Sequence, residues 1–227
     1  MKLYDHVIPA RFIARPNRFI AVVQTAAGEE TVHVKNTGRC RELLLPGAPV
    51  WLAAAANPQR KTRYDLVAVQ KGSLLINIDS QAPNRAAAEA LPRLFPGIGR
   101  IRPETVYGDS RLDFCAEGPG RKVYVEVKGC TLERDGVALF PDAPTARGVR
   151  HLRELARCVR AGEEAAVLIV IQMQGVRCFV PNGETDPAFA RAMADARDAG
   201  VQVLAYDCAV TPDSLTLRAP VPVRMFD

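Results

Sequence analysis

Asp113, Glu126 and Lys128 are the side chains of this 227-residue chain whose types and spacing best suit chemistry on a phosphate ester. The run Tyr124–Val125–Glu126–Val127–Lys128–Gly129–Cys130–Thr131 reads as a strand. Tyr124, Glu126 and Lys128 then share one face, and Val123, Val125 and Val127 share the other. Residues 110–115 read as a preceding strand, and Gly118, Pro119 and Gly120 supply the turn between the two. A hairpin of that length sets Asp113 beside Glu126, with Lys128 one step along the same face. Two carboxylates and one ammonium are the parts needed to hold a magnesium or manganese ion and to activate a water against a phosphodiester. The same valine alternation also describes the solvated face of an ordinary antiparallel sheet. The presence of Asp113, in the right order, favours the chemical reading.

Further candidates surround this hairpin. Glu104, after Pro103, is either a third carboxylate for the metal or a solvated loop glutamate. Arg111 shares a face with Asp113 and either neutralises it or meets a phosphate. The spacing of Val149, Leu152, Leu155, Ala156 and Val159 predicts a helix over residues 147–161. The free amides and dipole at its start favour phosphate, so Arg147 and His151 are candidates for contact with a nucleic-acid strand. Arg153, Arg157 and Arg160 read as a solvated face. Gln172, at the end of the next strand, either reaches the site or is a satisfied buried amide.

The elements that would position these groups fall into two parts. Residues 1–85 hold twelve Lys and Arg against six Asp and Glu, whereas residues 86–227 hold eighteen against nineteen. This asymmetry suggests that the first part meets a polyanion and the second holds acidic chemistry. The first part contains about five extended segments, residues 12–23, 30–35, 48–54, 64–70 and 74–78, broken by Pro-, Gly- and Asn-rich turns. That pattern predicts a small closed barrel, for which the five-stranded oligonucleotide-binding type is one candidate among several. The basic loop residues Arg18, Arg39, Arg41, Lys61 and Arg63 are its candidate nucleic-acid contacts, with Phe12, Phe19 and Tyr64 beside them as either stacking surfaces or, for the phenylalanines and by preference, barrel core. Residues 82–97 read as a bridging helix. Beyond them strands alternate with helices, with a buried central strand at residues 165–171, and this predicts an α/β layer.

Composition excludes several classes. The chain is 48% hydrophobic and 24% charged, as in globular proteins. No apolar run is long enough to cross a bilayer, and residues 1–13 lack the apolar core of a signal peptide, so a cytoplasmic location is expected. Six scattered cysteines lack zinc or redox spacing and are read as free thiols. There is no P-loop, no Gly-x-Gly-x-x-Gly after a strand and no Gly-x-Ser-x-Gly.

Four blocks, Asn36–Thr37–Gly38–Arg39, Ser110–Arg111–Leu112–Asp113–Phe114, Val125–Glu126–Val127–Lys128–Gly129 and Phe140–Pro141–Asp142–Ala143–Pro144–Thr145–Ala146–Arg147–Gly148, together resemble the sugar fermentation stimulation protein A family of bacteria and archaea. The resemblance runs in order along essentially the whole chain. It implies an N-terminal barrel of the oligonucleotide-binding type (residues 1–85) followed by a PD-(D/E)xK, restriction-endonuclease-like α/β domain (residues 86–227). It also implies DNA binding without strong sequence preference and a link to regulation of maltose metabolism. Asp113 matches the family's strand acid, and Glu126 and Lys128 match its Glu-x-Lys; Leu112 stands where the motif's proline would be. The expected function is a magnesium- or manganese-dependent nuclease on DNA, with RNA not excluded and a homodimer plausible. The alternative is a DNA-binding transcriptional regulator that cuts nothing.

Overall fold

The computed structural model of the chain describes residues 1–36, 38–57 and 59–225. Thr37, in the first of the four blocks, and Pro58 lie outside the described residues. The first half forms six strands: β1 (Val7–Asn17), β2 (Ile20–Thr25), β3 (Gly28–Val34), β4 (Pro49–Ala54), β5 (Tyr64–Lys71) and β6 (Leu74–Asn77). The segment expected as one strand over residues 12–23 is a hairpin, because the Asn17 side chain accepts from the amides of Phe19 (2.9 Å) and Ile20 (3.1 Å) and turns the chain. The strand order is β3-β2-β1-β4-β5-β6. A parallel β3–β5 pairing, His33 to Asp65 and Val34 to Leu66, closes five strands into a barrel and leaves β6 outside it on β5. Phe12, Val23, Val32, Val50, Leu52 and Leu66 fill the interior.

The second half is an α/β layer. Its helices are α1 (Ala82–Leu94), α2 (Ala146–Arg160) and α3 (Pro187–Asp198). Its main strands are β7 (Arg100–Tyr107), β8 (Ser110–Gly118), β9 (Arg121–Cys130), β12 (Glu164–Ile171), β14 (Gln202–Thr211) and β15 (Ser214–Pro220), ordered β15-β14-β12-β9-β8-β7. β12 runs parallel to β9 and β14 and is buried on both faces, as its continuous apolar run requires. α1 covers one face through Ala86, Ala87, Ala90 and Leu91. α2 and α3 cover the other, in a core continuous with the barrel interior. One carboxylate starts both of these helices: Asp186 accepts from the Phe189 amide to cap α3 and from the Thr145 amide just before α2. Residue 85, where the charge balance changes, lies inside α1, and α1 packs on the second sheet. The polypeptide therefore changes architecture a few residues earlier than its composition does.

Two features escape the sequence pattern. β7 is an edge strand with no apolar alternation, and β15 is its counterpart on the other edge. The stretch 131–140 contains β10 (Leu132–Arg134) and β11 (Val137–Phe140), which join β13 (Cys178–Pro181) in a small separate sheet. All six cysteines are buried and unpaired, and burial pushes Cys40, Cys130, Cys158 and Cys208 up to about 12, which leaves them unreactive. No helix among the described residues is long and apolar enough to cross a membrane.

The β14–β15 edge is pinned by Asp207, which is 1% exposed and accepts from Arg218 (2.5 Å), the Gly175 amide (2.9 Å) and the Ala219 amide (3.1 Å). Burial pushes its pKa up, but these donors more than reverse that and hold it below the ordinary aspartate value. A depressed carboxylate contributes stability that is complete above its unfolded pKa and is lost as the pH falls through the folded one. Asp207→Asn is therefore expected to be less stable than the parent at neutral pH by about 1.5–3 kcal/mol. Urea denaturation should show the gap between the two proteins narrowing as the pH falls below about 4.

Candidate active site

β8 and β9 pair antiparallel, with Phe114 opposite Val125 and Cys115 opposite Tyr124, and continuing that register brings Asp113 to Glu126. The regular ladder ends at Phe114. On its other side β8 pairs with β7 at Pro103–Phe114 and Thr105–Leu112, passing over Glu104 and Asp113. Leu112 packs in the α2 core and Phe114 in the α1 core although they are two residues apart. The face alternation therefore breaks at Asp113, and this frees its carboxylate to turn along β9. One of its oxygens accepts from the Val127 amide at 2.7 Å and the other from the Asn84 side chain at 2.9 Å. Asn84, in the first turn of α1, was not singled out from the sequence. A lone asparagine near a helix start reads as capping chemistry, and only the packing of α1 on the sheet takes it to Asp113.

Glu126 lies in β9 between β8 and β12 and is 2% exposed. Its Oε1 accepts from Lys128 Nζ at 2.5 Å and from His151 Nδ1. Its Oε2 is buried with no hydrogen-bond partner. Burial pushes the Glu126 pKa up, and the His151 and Lys128 contacts more than offset this, leaving it below the ordinary value. Asp113 moves the other way: burial and then the neighbouring Glu126 charge raise it, against the pull of the Val127 amide, Asn84 and Lys128. Two carboxylates with opposed shifts thus sit beside one ammonium, the compensated Glu126 next to Asp113, whose charge is disfavoured.

The remaining candidates divide by position. His151, expected on the nucleic-acid strand, is 1% exposed and turned inward to Glu126, because position 151 falls on the buried face of α2. Arg147, one turn earlier, is exposed, and its Nε donates to His151 Nε2 at 3.4 Å. Glu104 is not drawn into the cluster: its side chain is 70% exposed and faces Arg111 at 3.5 Å. Among the described residues no three His, Cys, Asp or Glu side chains form a ready-made metal cage. The Gln172 Nε2 donates to the Asn77 and Asp79 carbonyls and to Asn77 Oδ1, so this residue is a satisfied buried amide between the two halves.

Arg18, Arg39 and Arg41 line one depression of about 450 Å³ on the barrel, together with Arg15 and Cys40. Arg15 shapes it by donating to the carbonyls of Arg18, Asn36, Gly38 and Arg39. The Arg18 guanidinium lies 5.0 Å from the ring centre of exposed Phe19. Lys61 is exposed nearby in sequence, and Arg63 pairs with Glu30 and approaches the Tyr64 ring. The Arg39 amide donates to Asp142 at 3.1 Å, so two of the four conspicuous sequence blocks meet. Between them lies a cleft of about 360 Å³ that reaches Gly129, immediately after Lys128.

Residues 13–78 match the model of the SfsA N-terminal OB domain, and residues 81–214 match that of the sugar fermentation stimulation protein RE domain. A sugar fermentation stimulation protein homolog of Desulfitobacterium hafniense (strain Y51) is 50% identical over 225 residues, covering 99% of each chain. Another, from Clostridium beijerinckii, is 46% identical over 222 residues, covering 97% of this chain and 98% of its own. Among solved structures, Pyrococcus furiosus SfsA in complex with Ca2+ superposes with a TM-score of 0.88 at 28% identity over 99% of both chains.

Proposed function

The chain belongs to the sugar fermentation stimulation protein family, and from that premise we propose that it binds DNA through its barrel and cleaves phosphodiesters at Asp113, Glu126 and Lys128 with a magnesium or manganese ion. One observation carries the reading: Glu126 Oε2 is buried without a partner beside Asp113, while Oε1 is fully engaged by Lys128 and His151. A buried, unsatisfied carboxylate oxygen is costly unless a cation completes it. An all-oxygen donor set suits a hard divalent ion, and the Pyrococcus furiosus relative is in complex with Ca2+, an ion of the same preference.

Asp113 and Glu126 would hold the ion, which when bound lowers the pKa of a water and polarises the phosphoryl oxygen. Asn84 and the Val127 amide keep Asp113 turned toward the site. Lys128 orients the attacking water and offsets charge that grows on the phosphate. Exposed Arg147 and Arg111 are placed to steady the strand, and Arg18, Arg39, Arg41, Lys61 and Arg63 to hold its backbone on the barrel. Binding of that kind weakens steeply as salt rises.

A second reading, a DNA-binding regulator of sugar metabolism that does not cut, is favoured by the position of Glu104, which leaves only two carboxylates at the centre. Labelled single- and double-stranded DNA and RNA, incubated with magnesium, manganese or EDTA, separate the two. Cleavage that requires the ion and stops in EDTA is expected. Binding that persists in EDTA, with no cleavage under any condition, would select the regulator.

A further inference from the structure

We propose that His151 is a positioning residue for Glu126, whose Nδ1–H fixes the carboxylate so that Oε2 faces the divalent ion. The inference rests on the reading of the site given above.

A glutamate side chain ends in a loosely restrained torsion, so one ion pair alone does not decide which oxygen it presents. Here two donors from different elements converge on the same oxygen: Lys128 from β9 and His151 from α2. Of the two oxygens of this carboxylate, Oε2 is thereby left buried without a donor. The far side of the imidazole favours one assignment of its proton. Arg147 Nε, which can only donate, lies 3.4 Å from His151 Nε2, and Glu126 Oε1 faces Nδ1, an arrangement that matches an acceptor at Nε2 and a proton on Nδ1. The ring is 1% exposed on the buried face of α2, which restricts its movement. An exposed arginine, a buried imidazole and the carboxylate form one line, in the way that second partners orient metal-binding groups. This accounts for a histidine on the apolar face of α2, which core packing alone does not require.

Calorimetric titration of the full chain with calcium or manganese chloride, without nucleic acid, measures the ion site with no turnover. Glu126→Gln should lose binding. His151→Ala should weaken it by about 10–100-fold. His151→Asn, whose amide N–H occupies nearly the place of Nδ1–H, should recover most of the affinity. Leu152→Ala, which opens a cavity on the same helix, should lower the melting temperature and leave affinity unchanged. Parent-like affinity in His151→Ala would overturn the positioning role while leaving the ion site intact. Equal losses in His151→Ala, His151→Asn and Leu152→Ala would overturn it as well, showing that only packing mattered. A parent chain that takes up neither ion would overturn the underlying reading, and the positioning role with it.

Discussion

Lys128→Ala and Asp113→Asn are each expected to remove most divalent-ion-dependent cleavage of DNA, and to move stability in opposite directions. On the proposed mechanism, losing the lysine deletes a preplaced positive charge where the phosphate would develop negative charge, an expected loss of about 10²–10³-fold in rate. It also leaves buried Glu126 with only His151 as a partner. Removing one member of a buried pair costs about 3 kcal/mol, so a lower urea midpoint should accompany the lost activity. On the proposed mechanism, Asp113→Asn removes a ligand for the ion and with it the reaction. Yet it also relieves a buried charge that Glu126 opposes, its amide oxygen still accepts from the Val127 amide, and its amide nitrogen donates to Asn84 once the Asn84 amide turns over to present its oxygen. The ion-free Asp113→Asn protein should therefore melt higher than the parent, the usual sign of a site that stores unfavourable charge for function. Rates under magnesium and manganese, measured beside urea denaturation, check both halves. Cleavage at the parent rate by either protein would remove that side chain from the mechanism.

The second large effect is expected at the junction of the two halves. Asp79, 1% exposed, accepts from Tyr4 at 2.8 Å and the Gln81 amide at 2.9 Å, and pairs with Lys35 at 2.9 Å. Burial and the Asp79 charge both push the Tyr4 pKa up, so its proton stays in this contact. Gln172 closes the network from the α/β side by donating to Asn77 and to the Asp79 carbonyl, while the Asn77 amide donates to the Gln172 carbonyl. Asp79→Ala strips Lys35 and Tyr4 of their acceptor in a poorly hydrated seam, and about 3–5 kcal/mol of stability should go with it. Asp5→Ala, which removes an exposed pair with Lys2, should change the urea midpoint little. A midpoint for Asp79→Ala equal to that of Asp5→Ala would show that the seam does not hold the halves together.

Much of the architecture is legible locally because it depends on local physics. Alternation in residues 123–128 places Glu126 and Lys128 on one face, and the continuous apolar run 165–171 identifies β12 as the central strand. Helix α2 follows from its 3.6-residue apolar spacing, and turn residues divide the barrel strands. The edge strand β7 is not legible in the sequence, since an edge strand need not alternate when one side of its ladder meets water.

At the site, residue types and order in the sequence determine that two carboxylates and a lysine come together on one hairpin. Tertiary structure decides the rest. The broken alternation at Asp113 turns its carboxylate to the Val127 amide, and the docking of α1 brings Asn84 to its other oxygen. The packing of α2 takes His151 from a surface candidate to a buried partner of Glu126, while β7 carries Glu104 out to solvent. Side-chain period along one strand is a property of the backbone and can be read from the chain. Which groups from separate elements meet depends on how sheets and helices bury their apolar faces, and that is settled only when the whole core closes.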